Sequence, residues 1–297
     1  MYCPRYQHFV RLNANGTFGL CGHMVNGPEC KTVNEVKVHA DRISSDEYPA
    51  ECIRCWELEE QGEPSIRQNA IDRDKVLSRI HKDYLIVGGT LDSYCNSACM
   101  TCSSKLSTKI AKLEGNVYVI DNYAKFQELP QERIIELDIN GGEPTFSKNY
   151  KHLLDNIPPN VKVVRINTNG SRYFEKVEEL LKRKIRVIVT LSLDGTENVH
   201  DFIRWPIRWV DYTKTVEKYI ELRTKYKNLS LDFWTTLNRL NLANFESIKE
   251  YAQSCNIPHQ YGLLKRPAVL DINNTNEEEL EQFVEQQMKL RGITWQQ

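Results

Sequence analysis

Tyr94-Cys95-Asn96-Ser97-Ala98-Cys99-Met100-Thr101-Cys102 places three cysteines in C-x3-C-x2-C spacing. A structural zinc site wants four protein ligands, and an iron–sulfur cube has four irons to ligate. Three thiolates therefore leave one metal position open, and an open position is where a substrate or cofactor binds directly. Two plainer readings stand beside this one. The cysteines coincide by chance in a surface loop, or a distant residue completes a zinc knuckle.

Working outward, the loop directly follows an apolar run, Tyr84–Leu91, that reads as a strand. A helix is expected over Ser104–Leu113 and a second strand over Ile134–Ile139, ending in Asn140-Gly141-Gly142-Glu143-Pro144. A third strand, Val161–Ile166, leads into Asn167-Thr168-Asn169-Gly170 and a helix over Phe174–Lys184. The β-branched run Ile185–Leu193 is a fourth strand and ends at Asp194-Gly195, with a helix following from Val210 to Tyr226. Leu229–Leu237 is a fifth strand ending at Asn238, then comes a helix over Phe245–Ser254 and a sixth strand near Gln260–Leu264. The stretch Asn276–Leu290 suits a last amphipathic helix, with Leu280, Phe283, Val284 and Met288 on one face. Strands alternating with helices indicate an α/β fold with parallel βαβ units and right-handed crossovers. A doubly wound open sheet and a barrel both satisfy that count.

The N-terminal region is read differently. His8–Cys21 alternates apolar residues on both sides of Asn15-Gly16, a two-residue type I′ hairpin signal. Such a turn brings Cys3 and Cys21 towards one end of a ribbon. Glu51-Cys52-Ile53-Arg54-Cys55 adds a C-x2-C pair. Cys3, Cys21, Cys52 and Cys55 thus make a candidate four-thiolate site, for zinc or a [4Fe–4S] cluster alike. Cys30 is spare and reads as a small buried residue. The charged segment from Cys55 to Asp83, with Pro64-Ser65 as a helix start, is a connector.

Bulk properties narrow the class. The chain has 297 residues, 40% of them apolar, enough for one large α/β domain and a small appendage. A formal net charge of −1 gives no global basic field for nucleic acid or an anionic membrane. No run approaches the roughly 20 apolar residues that span a bilayer, and Met1-Tyr2-Cys3-Pro4-Arg5 does not read as a signal peptide. The expectation is a cytoplasmic protein whose nine cysteines, an odd number, stay reduced as metal ligands.

The C-x3-C-x2-C loop after the first strand, opening with Cys-Asn, resembles the cluster motif of the radical S-adenosylmethionine (radical SAM) superfamily. Gly141-Gly142-Glu143 after the second strand matches that family's second motif. The resemblance covers Tyr84 to Pro267 and implies a partial (β/α)6 TIM-like barrel. The N-terminal pattern of Cys-Pro, Asn-Gly followed by Cys21, and Cys52-x-x-Cys55-Trp-Glu is similar to an auxiliary-cluster domain of the SPASM/twitch kind. In most of that group the domain follows the barrel, whereas here it precedes it. The implied organisation is an auxiliary domain with connector over 1–75, the barrel over 76–270 and a C-terminal helix over 271–297.

The resemblance implies a function. Cys95, Cys99 and Cys102 hold a [4Fe–4S] cluster with an open iron, which SAM chelates. SAM is contacted by Gly141, Gly142 and Glu143, by Thr168 and Asn169, by Ser192 and Asp194 at its ribose, by Arg204 at its carboxylate and by Asn238. Thr101 stands where the family often has an aromatic residue. Reductive cleavage of SAM gives a 5′-deoxyadenosyl radical that abstracts a hydrogen from a substrate. A second [4Fe–4S] cluster on Cys3, Cys21, Cys52 and Cys55 has a redox or structural role. The leading substrate class is a peptide or protein side chain, and the electron donor is a flavodoxin or ferredoxin. A small molecule, a nucleotide or RNA is the alternative substrate, RNA needing a basic face near Lys182-Arg183-Lys184. The rival of another class is a zinc-stabilised, non-catalytic binding protein. His23 and His200 read as structural or surface residues, and Cys255 as core.

Overall fold

The alternation read from the sequence is realised in a computed structural model of the chain, which describes residues 2–45 and 49–293. In chain order the elements are α1 (Arg5–His8), β1 (Phe9–Leu12), β2 (Phe18–Gly19), α2 (Val33–Ser44), α3 (Ile53–Glu60), α4 (Ile66–Ile80) and β3 (Leu85–Thr90). Next come α5 (Thr108–Leu113), α6 (Tyr123–Gln127), β4 (Ile134–Asn140), α7 (Lys148–Asp155), β5 (Val163–Thr168), α8 (Lys176–Lys182) and β6 (Arg186–Ser192). The chain ends with α9 (Glu197–Ile203), α10 (Trp209–Lys225), β7 (Leu229–Leu237), α11 (Phe245–Ser254), β8 (His259–Leu263) and α12 (Glu277–Arg291). The expected C-terminal segment runs on to Gln297, and residues 294–297 lie outside the described ones. No helix among the described residues is long and apolar enough to cross a membrane.

The chain divides into two compact units. The first comprises Met1–Asp92, Ile120–Gly141 and His152–Val164. In it β1 pairs antiparallel with β2 and parallel with β3, β3 pairs parallel with β4, and β4 pairs parallel with the start of β5. The hairpin therefore does not stand alone as a small appended ribbon. Its turn also differs from the type I′ expectation, which needs both central residues in the left-handed region. Gly16 donates to the Asn13 carbonyl at 3.1 Å, and of Asn15 and Gly16 only the glycine has positive φ, +79°. Ser65 starts α4 as expected: its hydroxyl accepts from Gln68 N while Gln68 reaches back to Ser65 N, a capping box.

The second unit comprises Ser93–Val119, Gly142–Lys151 and Arg165–Gln297. Here β6, β7 and β8 pair in parallel register, with Val189 opposite Leu231 and Phe233 opposite His259. Along β7 the odd positions Leu229, Leu231, Phe233, Thr235 and Leu237 are buried. With Tyr212, Val216 and Tyr219 of α10 they form part of a packed apolar core. The even positions Ser230, Asp232 and Thr236 are half-buried and Trp234 is exposed, so the other face of the strand is more open. The fold class is α/β with parallel sheet, carrying eight strands among the described residues: the six expected and the hairpin pair.

Candidate cluster and cofactor site

Contacts to its backbone amides and carbonyls fix the three-cysteine loop of the second unit. Ala98 N donates to the Trp205 carbonyl at 2.7 Å and Met100 N to the Ile203 carbonyl at 2.8 Å. Thr108 N donates to Ser93 O at 2.9 Å, while its hydroxyl accepts from Cys95 N at 3.1 Å. Ser107, the N-cap of α5, donates its hydroxyl to Ser97 O at 2.6 Å. From α12, Arg291 Nε donates to the Ala98 carbonyl at 2.7 Å and Nη2 to the Cys99 carbonyl at 3.2 Å. A loop whose carbonyls and amides are satisfied in this way has little freedom to rearrange.

Two of the three sulfurs gather around Ser97. Its hydroxyl lies 3.2 Å from Cys95 Sγ and 3.6 Å from Cys99 Sγ. Burial pushes the Cys95 thiol up to about 11, with neighbouring Cys99 adding to the rise. Burial likewise pushes Cys102 up to about 12, helped by Cys99 and Cys95. These are thiols that shed protons when a metal arrives, because the metal supplies the missing positive charge. The donor set suits a cluster with one iron left open. Among the described residues no three His, Cys, Asp or Glu side chains stand close enough to share a single metal ion. Thiolates on a cube bind different irons and stand further apart than the ligands of one ion.

Glu143 is a buried hub. Its Oε1 accepts from Thr145 N at 3.1 Å and from the hydroxyls of Thr145 and Thr168 at 2.8 Å each. Its Oε2 accepts from Asn169 N at 2.6 Å, which leaves one lone pair on that oxygen for a further donor. Gly142 must be glycine, since a Cβ there would fall 2.1 Å from the Tyr94 carbonyl. Glu143 N then donates to that same carbonyl at 2.7 Å. Gly141 belongs to the first unit, where a Cβ would lie 2.5 Å from Asp92 O. Asn169 Nδ2 donates to Asn96 Oδ1 at 2.9 Å and Ser97 Oγ at 3.3 Å, so the Glu143 hub continues into the cysteine loop.

Asp194 and Arg204 pair with each other. Arg204 Nη1 donates to Asp194 Oδ2 at 2.7 Å, and Thr236 N donates to Asp194 Oδ1 at 2.8 Å. Burial works against the Arg204 charge, but Cys99 and Asp194 outweigh it and hold the guanidinium above its ordinary range. Arg204 Nε is buried and has no acceptor among the described residues, so a donor remains for a ligand carboxylate. Ser192 ends β6 half-buried. Asn238 is spent inside its own turn: its Nδ2 donates to Thr236 O at 2.7 Å and its Oδ1 accepts from Leu240 N at 2.9 Å. His200 is fully buried against Tyr212, with ring centroids 4.5 Å apart, and burial drives its pKa down to about 3.

In the first unit Cys3, Cys21, Cys52 and Cys55 line one cavity, together with Tyr6, His23 and Arg67. The Tyr6 hydroxyl sits 2.9 Å from Cys52 Sγ, and His23 N donates to Cys21 Sγ at 3.5 Å. Burial pushes the Cys3 thiol up to about 12 and raises Cys52 and Cys55 as well. Cys30 does not line this cavity; it is buried and exchanges backbone hydrogen bonds with Phe18. Sequence reasoning overlooked Ser97, Asn96 and Arg291. Ser97 and Asn96 lay in view inside the motif, and Arg291 carries no local signal.

Parts of this chain are similar to known proteins. The family model of the Radical SAM superfamily matches residues 93–252. The sporulation killing factor maturation protein SkfB of Bacillus subtilis is 27% identical over 133 residues, 40% of this chain and 32% of that protein. The mycofactocin maturase MftC of Mycobacterium tuberculosis is 32% identical over 111 residues, 37% of this chain and 28% of that protein. The matched region thus spans about a third of the length of these curated relatives. Among solved structures, Streptococcus suis SuiB bound to the precursor peptide SuiA aligns over 97% of this chain and 70% of its own, at 15% identity and a TM-score of 0.47.

Proposed function

The chain belongs to the radical SAM superfamily, and from that premise we propose that it is an enzyme that cleaves SAM reductively to modify a side chain of a peptide or protein. The observation that carries the reading is the continuous set of hydrogen bonds from Glu143 through Asn169 and Ser97 to the cysteine sulfurs. When bound, the cluster and SAM supply a 5′-deoxyadenosyl radical able to remove hydrogen from an unactivated carbon.

The residues have distinct tasks. Cys95, Cys99 and Cys102 hold the cluster, and Ser97 keeps two of their sulfurs in place. Glu143 offers its remaining lone pair to the ammonium of SAM, a charge-assisted bond in a dry setting. Arg204 offers its free Nε to the methionyl carboxylate, and Asp194 holds the guanidinium in position. Ser192, Thr168, Asn169 and Asn238 surround the rest of SAM; Asn238 acts through the shape of its turn.

In this reading 76–270 make up a partial (β/α)6 radical SAM barrel, and 1–75 act as an auxiliary, SPASM/twitch-like region. Cys3, Cys21, Cys52 and Cys55 hold a second [4Fe–4S] cluster there, and their common cavity supports that assignment. Four thiolates leave it no open iron, so it passes electrons or braces the fold. The relatives, one a maturation protein and the other a maturase, support a peptide substrate. A cytoplasmic flavodoxin or ferredoxin supplies the electron.

The test is anaerobic reconstitution with iron and sulfide counting, then dithionite-dependent formation of 5′-deoxyadenosine. About eight irons per chain and deoxyadenosine production support the proposal. Protein that takes up zinc, stays colourless and leaves SAM intact overturns it.

A further inference from the structure

Away from the cysteine loop, the second unit carries a cavity of about 630 Å³ bounded by α9, α10 and α11. That volume falls in the range of ligand sites, roughly 300–1,000 Å³. Two aromatic side chains line it: Trp209 and Tyr251, edge to face with centroids 4.7 Å apart. Among the described residues, Glu197 and Glu250 supply its only charges, both negative.

Neither carboxylate has an ion-pair or hydrogen-bond partner among the described residues. Two lysines on the same helices are engaged elsewhere, Lys249 with Glu246 and Lys214 with Asp211. Glu197 is also held at φ +49°, a left-handed conformation that a non-glycine residue adopts only when its surroundings impose it. The walls are braced. Thr196 N donates to Asn244 Oδ1 at 2.8 Å while Asn244 Nδ2 donates back to Thr196 Oγ1 at 3.0 Å. Asp201 accepts from Trp209 N and, at 2.5 Å, from Arg208 Nε, which fixes the start of α10. The Trp209 indole N–H points to no acceptor among the described residues.

We propose that this cavity binds a lysine- or arginine-bearing segment of the peptide substrate, outside the reacting site; the inference rests on the peptide reading above. The cation lies against the Trp209 and Tyr251 rings between the two carboxylates, where ring quadrupole and charge act together. The indole N–H donates to a carbonyl of the same segment, a contact that a free amine lacks. The cavity thereby tethers substrate and raises its local concentration at the site.

The experiment follows the ¹⁵N-indole resonance of Trp209, assigned with Trp209→Phe, in cluster-loaded protein titrated with acetyl-Gly-Lys-Gly-amide. The expected result is a saturable shift, absent with the norleucine analogue and about five-fold weaker in Glu197→Gln/Glu250→Gln. No shift, equal binding of the norleucine peptide, or unchanged affinity in the double variant overturns the proposal. Spermidine displacing the peptide at equal concentration overturns the peptide assignment in favour of a free amine. No turnover is involved, so failure here with deoxyadenosine formation intact indicts the cavity and not the radical enzyme.

Discussion

The cysteines of the central loop come from eight consecutive positions, whereas those of the N-terminal cavity come from separate stretches between Cys3 and Cys55. The central sulfurs are positioned by backbone bonds to Ile203, Trp205 and Arg291 and by the Ser97 hydroxyl. The N-terminal sulfurs meet groups from elsewhere in the unit, with the Tyr6 hydroxyl against Cys52, the His23 amide on Cys21 and Arg67 at the rim. Arg67 is itself held by Glu59, and Glu59 also accepts from the Ser65 cap of α4. A site made from one short loop is pre-shaped by its own chain. A site made from three separate stretches depends on tertiary packing and on the metal to close it.

Removing each set of thiols breaks the comparison most directly. Cys95→Ala/Cys99→Ala/Cys102→Ala should lower iron from about eight to about four per chain and abolish deoxyadenosine formation. Replacing Cys3, Cys21, Cys52 and Cys55 by alanine should remove a similar amount of iron while SAM cleavage persists. Loss of SAM cleavage in a folded variant would mean the two sites are not separate in function.

Glu143→Gln comes next. An amide would turn two donor hydrogens towards Thr145, Thr168 or Asn169, costing about 1–3 kcal/mol in thermal unfolding. Deoxyadenosine formation should fall about 10- to 100-fold, the range for residues that orient ligands. Arg291→Ala should loosen the loop carbonyls and speed iron loss to a chelator about 10-fold, with the N-terminal iron unaffected. Equal release from both sites would show that Arg291 serves the fold at large.

The smallest effect concerns Glu59. The Arg67 hydrogen bond holds its carboxyl below the ordinary range. Its folded pKa is thus depressed, so its stabilisation is present above the unfolded value near 4.3 and fades as pH falls through the folded one. Glu59→Gln should be less stable by under about 1 kcal/mol at neutral pH and match wild type in strong acid. A constant gap across pH would point to packing in place of charge.

Much of the parallel sheet could be read locally. Strand β7 and helix α11 match their expected bounds, Leu229–Leu237 and Phe245–Ser254, because apolar alternation and β-branched content are properties of short windows. Helix α9 was missed. Its seven residues bury only His200 and Ile203, too few to register as a stripe. The parallel pairing of β1 with β3 was missed too, since Arg11 meets Gly88 across more than seventy intervening residues. The cysteine motif and Glu143 were legible as chemistry, but their partners were only partly so. Asp194 and Arg204 were each assigned to SAM, yet their strongest visible bond is to one another.

One bond joins residues 193 positions apart: Arg291 Nε to the carbonyl of Ala98. A ribosome adding about 5–20 residues per second finishes the cysteine loop many seconds before it reaches Arg291. During that interval the thiols are already made, but the guanidinium that steadies their loop is not. Iron delivered to the nascent chain would meet an unbraced loop open to oxidation or to the wrong metal. Faithful cluster insertion therefore belongs after α12 has been made, because only then can Arg291 brace a loop synthesised 193 positions earlier.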